Sequence, residues 1–166
     1  MAGESTAYLI LDVAGTACAL PREAVAEVLP LPELQVAPAS GGWLLGLVNL
    51  GGRPVPVLDL AALLGLRDAS AGPGLYAHLI LARDRSLAWL VDRVADLKTV
   101  TPDAHRAADP EASLNGCVAS GLVIKDRLVP ALDPERLLTH AERARVEGLA
   151  RAAAARLSAL PDPASA

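Results

Sequence analysis

Gly46-Leu-Val-Asn-Leu-Gly-Gly-Arg-Pro-Val-Pro-Val-Leu-Asp-Leu60 is the stretch that decides the fold. Leu47, Val48 and Leu50 suit one strand, and Val55, Val57 and Leu58 suit a second. Gly51-Gly52 between them takes the positive φ angles that a two-residue hairpin turn demands. Pro54 and Pro56 donate no backbone hydrogen bond, so the second strand either lies at a sheet edge or turns its prolines away from its partner. Asp59 then caps a short helix over Leu60–Leu64, closed by Gly65.

The stretch returns near the end of the chain as Gly121-Leu-Val-Ile-Lys-Asp-Arg-Leu-Val-Pro-Ala-Leu-Asp-Pro-Glu-Arg-Leu-Leu138. Gly46 aligns with Gly121, Pro56 with Pro130, Asp59 with Asp133 and Leu63-Leu64 with Leu137-Leu138, with one residue fewer in the second turn. The flanks repeat as well. His78-Leu-Ile-Leu81 echoes Tyr8-Leu-Ile-Leu11, and Leu87–Val91 echoes Ala17–Pro21. Val94-Ala-Asp-Leu97 echoes Val25-Ala-Glu-Val28. A duplication of strand, strand, turn, strand, loop, hairpin and short helix follows, and its short strands with close turn signals argue for small barrels. Pro30–Gly42 and Asp103–Asn115 read as connecting loops, and Leu66–Gly74 as the linker between halves at about 7–66 and 75–138.

Asp133-Pro134-Glu135 reads as a helix start, with no further proline until Pro161. Val146, Leu149, Ala153, Leu157 and Leu160 recur at helical spacing and make one apolar stripe. That stripe either packs on the chain's own barrel or grips something else; the residues leave both open. Pro161–Ala166 reads as a disordered tail.

The 166 residues are 52% hydrophobic with a net charge of −4, and no basic cluster with interleaved aromatics speaks for nucleic acid. No apolar run approaches the roughly 18 residues of a membrane span, and the first residues lack the pattern of a secretory signal. Cys18 and Cys117 read as small buried hydrophobes in a reduced, cytoplasmic setting. Trp43 and Trp89 read as core. His78, His105 and His140 fall on different predicted elements with no metal-ligand spacing, and no nucleophile elbow or phosphate loop is present. Asp59 and Asp133 read as caps, not as a catalytic pair; Glu27 and Asp96 read as solvent-facing. The residues thus predict an all-β duplicated domain with an amphipathic C-terminal helix, no catalytic residue, no metal and no cofactor. Its junction groove suits a peptide or helix.

Gly46–Leu60 resembles the signature of the CheW family, the coupling proteins of bacterial chemosensory arrays, which runs Gly-x-Val-Asn-Leu-Arg-Gly-x-x-x-Pro-Val-x-Asp-Leu. Ala19-Leu-Pro21, Glu23–Val28, Leu90-Val-Asp-Arg-Val94 and Leu132–Leu138 resemble the family too, so the likeness runs from about Ala7 to Leu138. It implies two five-stranded SH3-like β-barrels within residues 1–140, with terminal strands open to exchange between barrels, and a tail over 141–166. It implies a non-catalytic scaffold that binds the helical cytoplasmic tip of chemoreceptors in the hydrophobic groove between the barrels and links it to the regulatory domain of a CheA-type histidine kinase. Such a protein is cytoplasmic and recruited to membrane-associated receptor arrays, with no nucleic acid and no membrane insertion. Val25, Glu27 and Val28 lie where the family makes its interfaces; Gly46, Asn49 and Leu50 belong to the signature hairpin. The family's arginine after Asn-Leu is Gly51 here, with Arg53 two places on. That departure fits a divergent member that serves a motility system or binds only one of the usual partners; a self-assembly module, with the tail stripe mediating association, is a further reading. A small ligand-binding barrel or enzyme is the reading from another class.

Overall fold

The computed structural model describes residues 4–36, 40–67, 74–108 and 116–159. The first half contains β1 (Thr6–Val13), β2 (Thr16–Pro21), a 3-10 turn at Arg22–Ala24, β3 (Val25–Pro30), β4 (Leu44–Leu50), β5 (Arg53–Asp59) and α1 (Leu60–Leu63). The second contains β6 (His78–Ala82), β7 (Ala88–Val91), β8 (Arg93–Val100), β9 (His105–Ala107), β10 (Val118–Ile124), β11 (Arg127–Leu132) and α2 (His140–Ala159).

Two sheets result, ordered β3-β6-β7-β5-β4 and β8-β1-β2-β11-β10-β9. Each half lends its N-terminal hairpin to the other half's sheet. Replacing β8, β1, β2, β11 and β10 by their repeat counterparts β3, β6, β7, β5 and β4 converts the second order into the first. Gln35 stands in for β9: its N–H donates to Leu47 O and its carbonyl accepts from Leu47 N, both at 2.8 Å, so the chain after β3 returns to the far strand. The architecture is all-β, two SH3-like barrels, with a helix at the C-terminal end.

Strand pairing corrects the alignment of the repeat. Leu47 lies opposite Pro56 as Gly121 lies opposite Pro130, and Leu50 opposite Arg53 as Ile124 opposite Arg127. Both turns therefore hold two residues, Gly51-Gly52 and Lys125-Asp126, all with positive φ. The structural counterpart of Gly121 is Leu47, not Gly46. The two glycines meet different constraints. A Cβ on Gly46 would lie 2.4 Å from Gln35 O, whereas one on Gly121 would meet the Leu128 side chain.

The proline question resolves against the edge. β5 lies between β4 and β7. A two-residue hairpin makes Leu50 and Arg53 a hydrogen-bonded pair, and pairs alternate along an antiparallel ladder. Pro54 and Pro56 thus fall at non-bonded positions toward β4, and β7 pairs only with Val57–Asp59.

The apolar runs lack strand alternation because both faces of the strands are buried. Leu79, Leu81 and Leu90 fill one barrel with Val48, Val55 and Val57. Tyr8, Ala19, Leu122 and Val129 fill the other. Between them lies a larger shared core in which Leu9, Leu11 and Leu20 meet Leu58, Ile80 and Trp89. Trp43 is half-buried against this seam, and Cys18 and Cys117 are buried and form no disulfide.

Three local expectations change. The turn after β1 is Ala14-Gly15, not Gly15-Thr16. The loop expected over Asp103–Asn115 contains β9, because pairing with β10 covers that strand's far side; residues 109–115 lie outside the described set. The last helix starts at His140, since Asp133 caps only a 3-10 turn at Pro134–Arg136. Thr139 and Glu142 form a capping box: Glu142 N donates to Thr139 Oγ1 at 3.1 Å and Thr139 N to Glu142 Oε1 at 2.8 Å. The stripe is half used, with Val146 buried and Leu157 exposed. Most of the expected linker, residues 68–73, and residues 160–166 of the tail, Leu160 included, lie outside the described residues.

Candidate functional site

β3 and β8 occupy the same end of the two sheet orders, each paired on one side only. Each is bulged near its start, at Ala26 and at Ala95. A bulge twists an edge strand and re-aims the side chains beyond it. In both strands those side chains are an acid and then an apolar residue. In β3, Glu27 is exposed and Val28 is 37% exposed; in β8, Asp96 is exposed and Leu97 is 55% exposed. Glu27 pairs with Arg85 of the β6–β7 turn at 3.0 Å, and Asp96 with Lys98 at 3.3 Å. The Leu97 N–H, then Lys98, hold the Asp96 carboxyl below the ordinary carboxylate range. Val25, by contrast, is buried and anchors the start of β3.

The signature hairpin is a second surface. Asn49 is exposed, and its Oδ1 accepts from Gly52 N at 2.8 Å, so it fixes its own turn. Gly51, at the tip, has φ +62° and open space around it. Arg53 is exposed and Leu50 half-buried. Gly46 is buried and lets Gln35 approach β4. Among the described residues no hydrogen bond or ion pair joins Val25, Glu27 or Val28 to the hairpin group. β3 and β4 lie at opposite ends of the sheet order.

A cleft of about 770 Å³ opens at the junction of the sheets. Leu87, Trp89 and Leu132 contribute apolar lining, and Glu23, Asp84 and Glu135 contribute carboxylates. Hydrogen bonds from Ser86 hold the Asp84 carboxyl below its ordinary range.

Sequence reasoning missed one polar centre. Asp59, fully buried, caps α1 by accepting from Ala61 N and Ala62 N, and also takes Arg67 Nη2 at 3.1 Å. Arg67 Nη1 donates to Asp92, at the passage from β7 to β8, and Asp92 Oδ2 accepts from Ala14 N at 2.5 Å. One guanidinium thus ties α1, the crossover and the β1–β2 turn. The available signal was that Arg67 is the only Lys or Arg between Arg53 and Arg83.

These surfaces hold no assembled reacting groups. His78, His105 and His140 stand on three different elements, and among the described residues no three His, Cys, Asp or Glu side chains cluster as a metal site. The sequence profile of the CheW-like domain matches residues 7–142.

The chain belongs to the CheW-like family.

It is 33% identical over 108 residues to a probable chemotaxis protein CheW of Rhizobium etli, covering 63% of this chain and 69% of that protein. It is 28% identical over 124 residues to chemotaxis protein CheW of Rhizobium meliloti, covering 72% and 79%. The scaffolding protein TtCheW from Thermoanaerobacter tengcongensis superposes with a TM-score of 0.72 at 17% identity, covering 82% of this chain and 90% of that one. The CheW-like fold thus extends over nearly all of the chain before α2. Among the described residues no helix is long and apolar enough to cross a membrane.

Proposed function

We propose that this CheW-like chain is a non-catalytic coupling scaffold that binds the helical cytoplasmic tip of a chemoreceptor and the regulatory domain of a CheA-type kinase. The observation that carries the receptor half is the exposure of Val28 and Leu97 on two repeat-related, bulged edge strands. An amphipathic helix recognises such apolar anchors flanked by charge. Glu27 and Asp96 frame the anchors and set the polar rim. The signature hairpin, with Asn49, Leu50, Gly51 and Arg53 at its tip, is the surface for the kinase domain. Gly51 leaves that tip without the family's arginine, so kinase binding is the weaker of the two contacts.

The test is a titration of the purified chain against a receptor cytoplasmic fragment and, separately, against a kinase regulatory domain. Binding to the receptor fragment that weakens in Val28→Glu and Leu97→Glu supports the assignment. Binding to neither partner overturns it.

A further inference from the structure

The chain passes between the two sheets twice: through Arg22–Ala24 from β2 to β3, and through Asp92 alone from β7 to β8. Each passage delivers one of the bulged edge strands. The placement of Val28 against Leu97 is therefore set at these two corners. The first corner has a 3-10 turn of its own. The second is a single residue, with Leu97 five positions beyond it.

That one-residue corner is held by its side chain as well as its backbone. Asp92 N donates to Asp12 O at 3.1 Å. Asp92 Oδ2 accepts from Ala14 N of the β1–β2 turn at 2.5 Å, and Oδ1 accepts from Arg67 Nη1. Arg67 carries the tie back to the other sheet: its Nη2 donates to Asp59 Oδ1 at 3.1 Å and to Oδ2 at 3.3 Å. Asp59 ends β5 and lies opposite Leu90 of β7. Arg67 Nε is buried with no partner among the described residues. A buried donor left unpaired costs stability, so the two carboxylates set the orientation of this side chain, not full satisfaction of its own donors. A lysine would neutralise Asp59 but offers one ammonium in place of two Nη groups splayed in a rigid plane. Among the described residues Arg67 makes no hydrogen bond or ion pair to β3 or β8 itself.

We infer that Arg67 is a positioning residue for the receptor-binding surface: by bridging Asp59 and Asp92 it fixes the corner from which β8 departs, and with it the separation of Leu97 from Val28. The functional half of this inference rests on the receptor-binding reading above; the latch itself belongs to the free chain. Without the bridge the corner is held by fewer bonds, and the two edge strands sample several separations. Only a fraction of these suits both anchors at once, and apparent affinity falls by that fraction.

Two variants release the latch while leaving Asp59 a cationic partner: Arg67→Lys and Asp92→Ala. Asp92→Ala is the sharper of the two, because it spares the buried Asp59–Arg67 pair. The first readout is the pulsed electron paramagnetic resonance distance between nitroxides on Glu27→Cys and Thr99→Cys, in a Cys18→Ala, Cys117→Ala background. Both labelled positions are exposed, one on each sheet. The second is the affinity of the unlabelled chains for a receptor cytoplasmic fragment, well below their melting temperatures. The parent chain is expected to give one narrow distance distribution and both variants a broader one. Receptor affinity is expected to drop about tenfold in each variant, as when the competent arrangement falls to about a tenth of the population. A lowered melting temperature with an unchanged distance distribution in both variants shows a merely structural role and overturns the inference. So does a broadened distribution with receptor affinity equal to that of the wild type. A wild type that binds no receptor fragment counts against the proposed function, and the distance distributions then decide on the latch by themselves.

Discussion

Gly46→Ala is expected to destabilise the protein by about 3 kcal/mol, and the cause is local enough to be checked atom by atom. The added Cβ would lie 2.4 Å from Gln35 O and 3.1 Å from Gln35 C, both backbone atoms that cannot swing aside. The φ of +152° adds strain for any residue but glycine, of order 1–3 kcal/mol. Relief requires Gln35 to move off β4 and give up its two hydrogen bonds with Leu47, at about 0.5–1.5 kcal/mol each. Those bonds return the chain after β3 to the far strand of its sheet. Urea unfolding supplies the free energy, and hydrogen exchange locates it: the Gln35 and Leu47 amides lose protection while the core of the other barrel keeps its own. Gly148→Ala is the control. Nothing lies within 4 Å of a Cβ there and the position is helical, so a gain of up to about 1 kcal/mol is expected. A Gly46→Ala protein within about 0.5 kcal/mol of wild type, the usual range of innocuous surface changes, would refute the packing argument.

Further outcomes rest on the same structure. Arg67→Met leaves the buried Asp59 carboxylate uncompensated and is expected to cost about 3 kcal/mol in urea unfolding. Burial, with Cys117 and Asp12 adding to it, pushes the Cys18 thiol from 9.0 up to about 11. A thiol raised on folding lends stability below its unfolded pKa and loses it as pH climbs through the folded one, so unfolding free energy should fall between about pH 9 and 11. Cys18→Ala should flatten that slope, leaving the share due to Tyr8, which burial also raises. Gly51→Arg has room for the side chain but sits at φ +62°, so a loss of about 1 kcal/mol in stability is expected. A regained charge-assisted contact worth about 1.5–3 kcal/mol should tighten kinase-domain binding roughly ten- to a hundredfold in a calorimetric titration.

The duplication was legible because glycine, proline and aspartate mark turns and caps by local physics. Its register was not. Matching Gly46 to Gly121 is natural by eye, but pairing equates Gly121 with Leu47, and only the partner strand reveals that step. The exchange of the N-terminal hairpins was equally hidden. Tyr8–Leu11 and His78–Leu81 carry nearly the same apolar pattern, so short-range sequence does not say which sheet each joins. The resemblance to the family left exchange open, and pairing of β1 with β8 and of β3 with β6 settles it. The Thr139–Glu142 capping box was readable, but Asp133-Pro134 offered an earlier and stronger start signal. Of the candidate site, Glu27 facing solvent was foreseen and the exposure of Leu97 was not. An apolar residue on a strand looks like core until its neighbour is known to be missing. The tie of Arg67 to Asp59 and Asp92 joins residues distant in sequence and exists only in the folded chain.

The most direct measurement is the affinity of a chemoreceptor cytoplasmic fragment for the wild-type chain and for Val28→Glu and Leu97→Glu. The wild type should bind, and each variant should bind at least about tenfold more weakly with an unchanged melting temperature, as expected when a carboxylate meets an apolar anchor. A wild type that does not bind, or variants that bind as tightly as it does, would contradict the placement of the partner surface on β3 and β8.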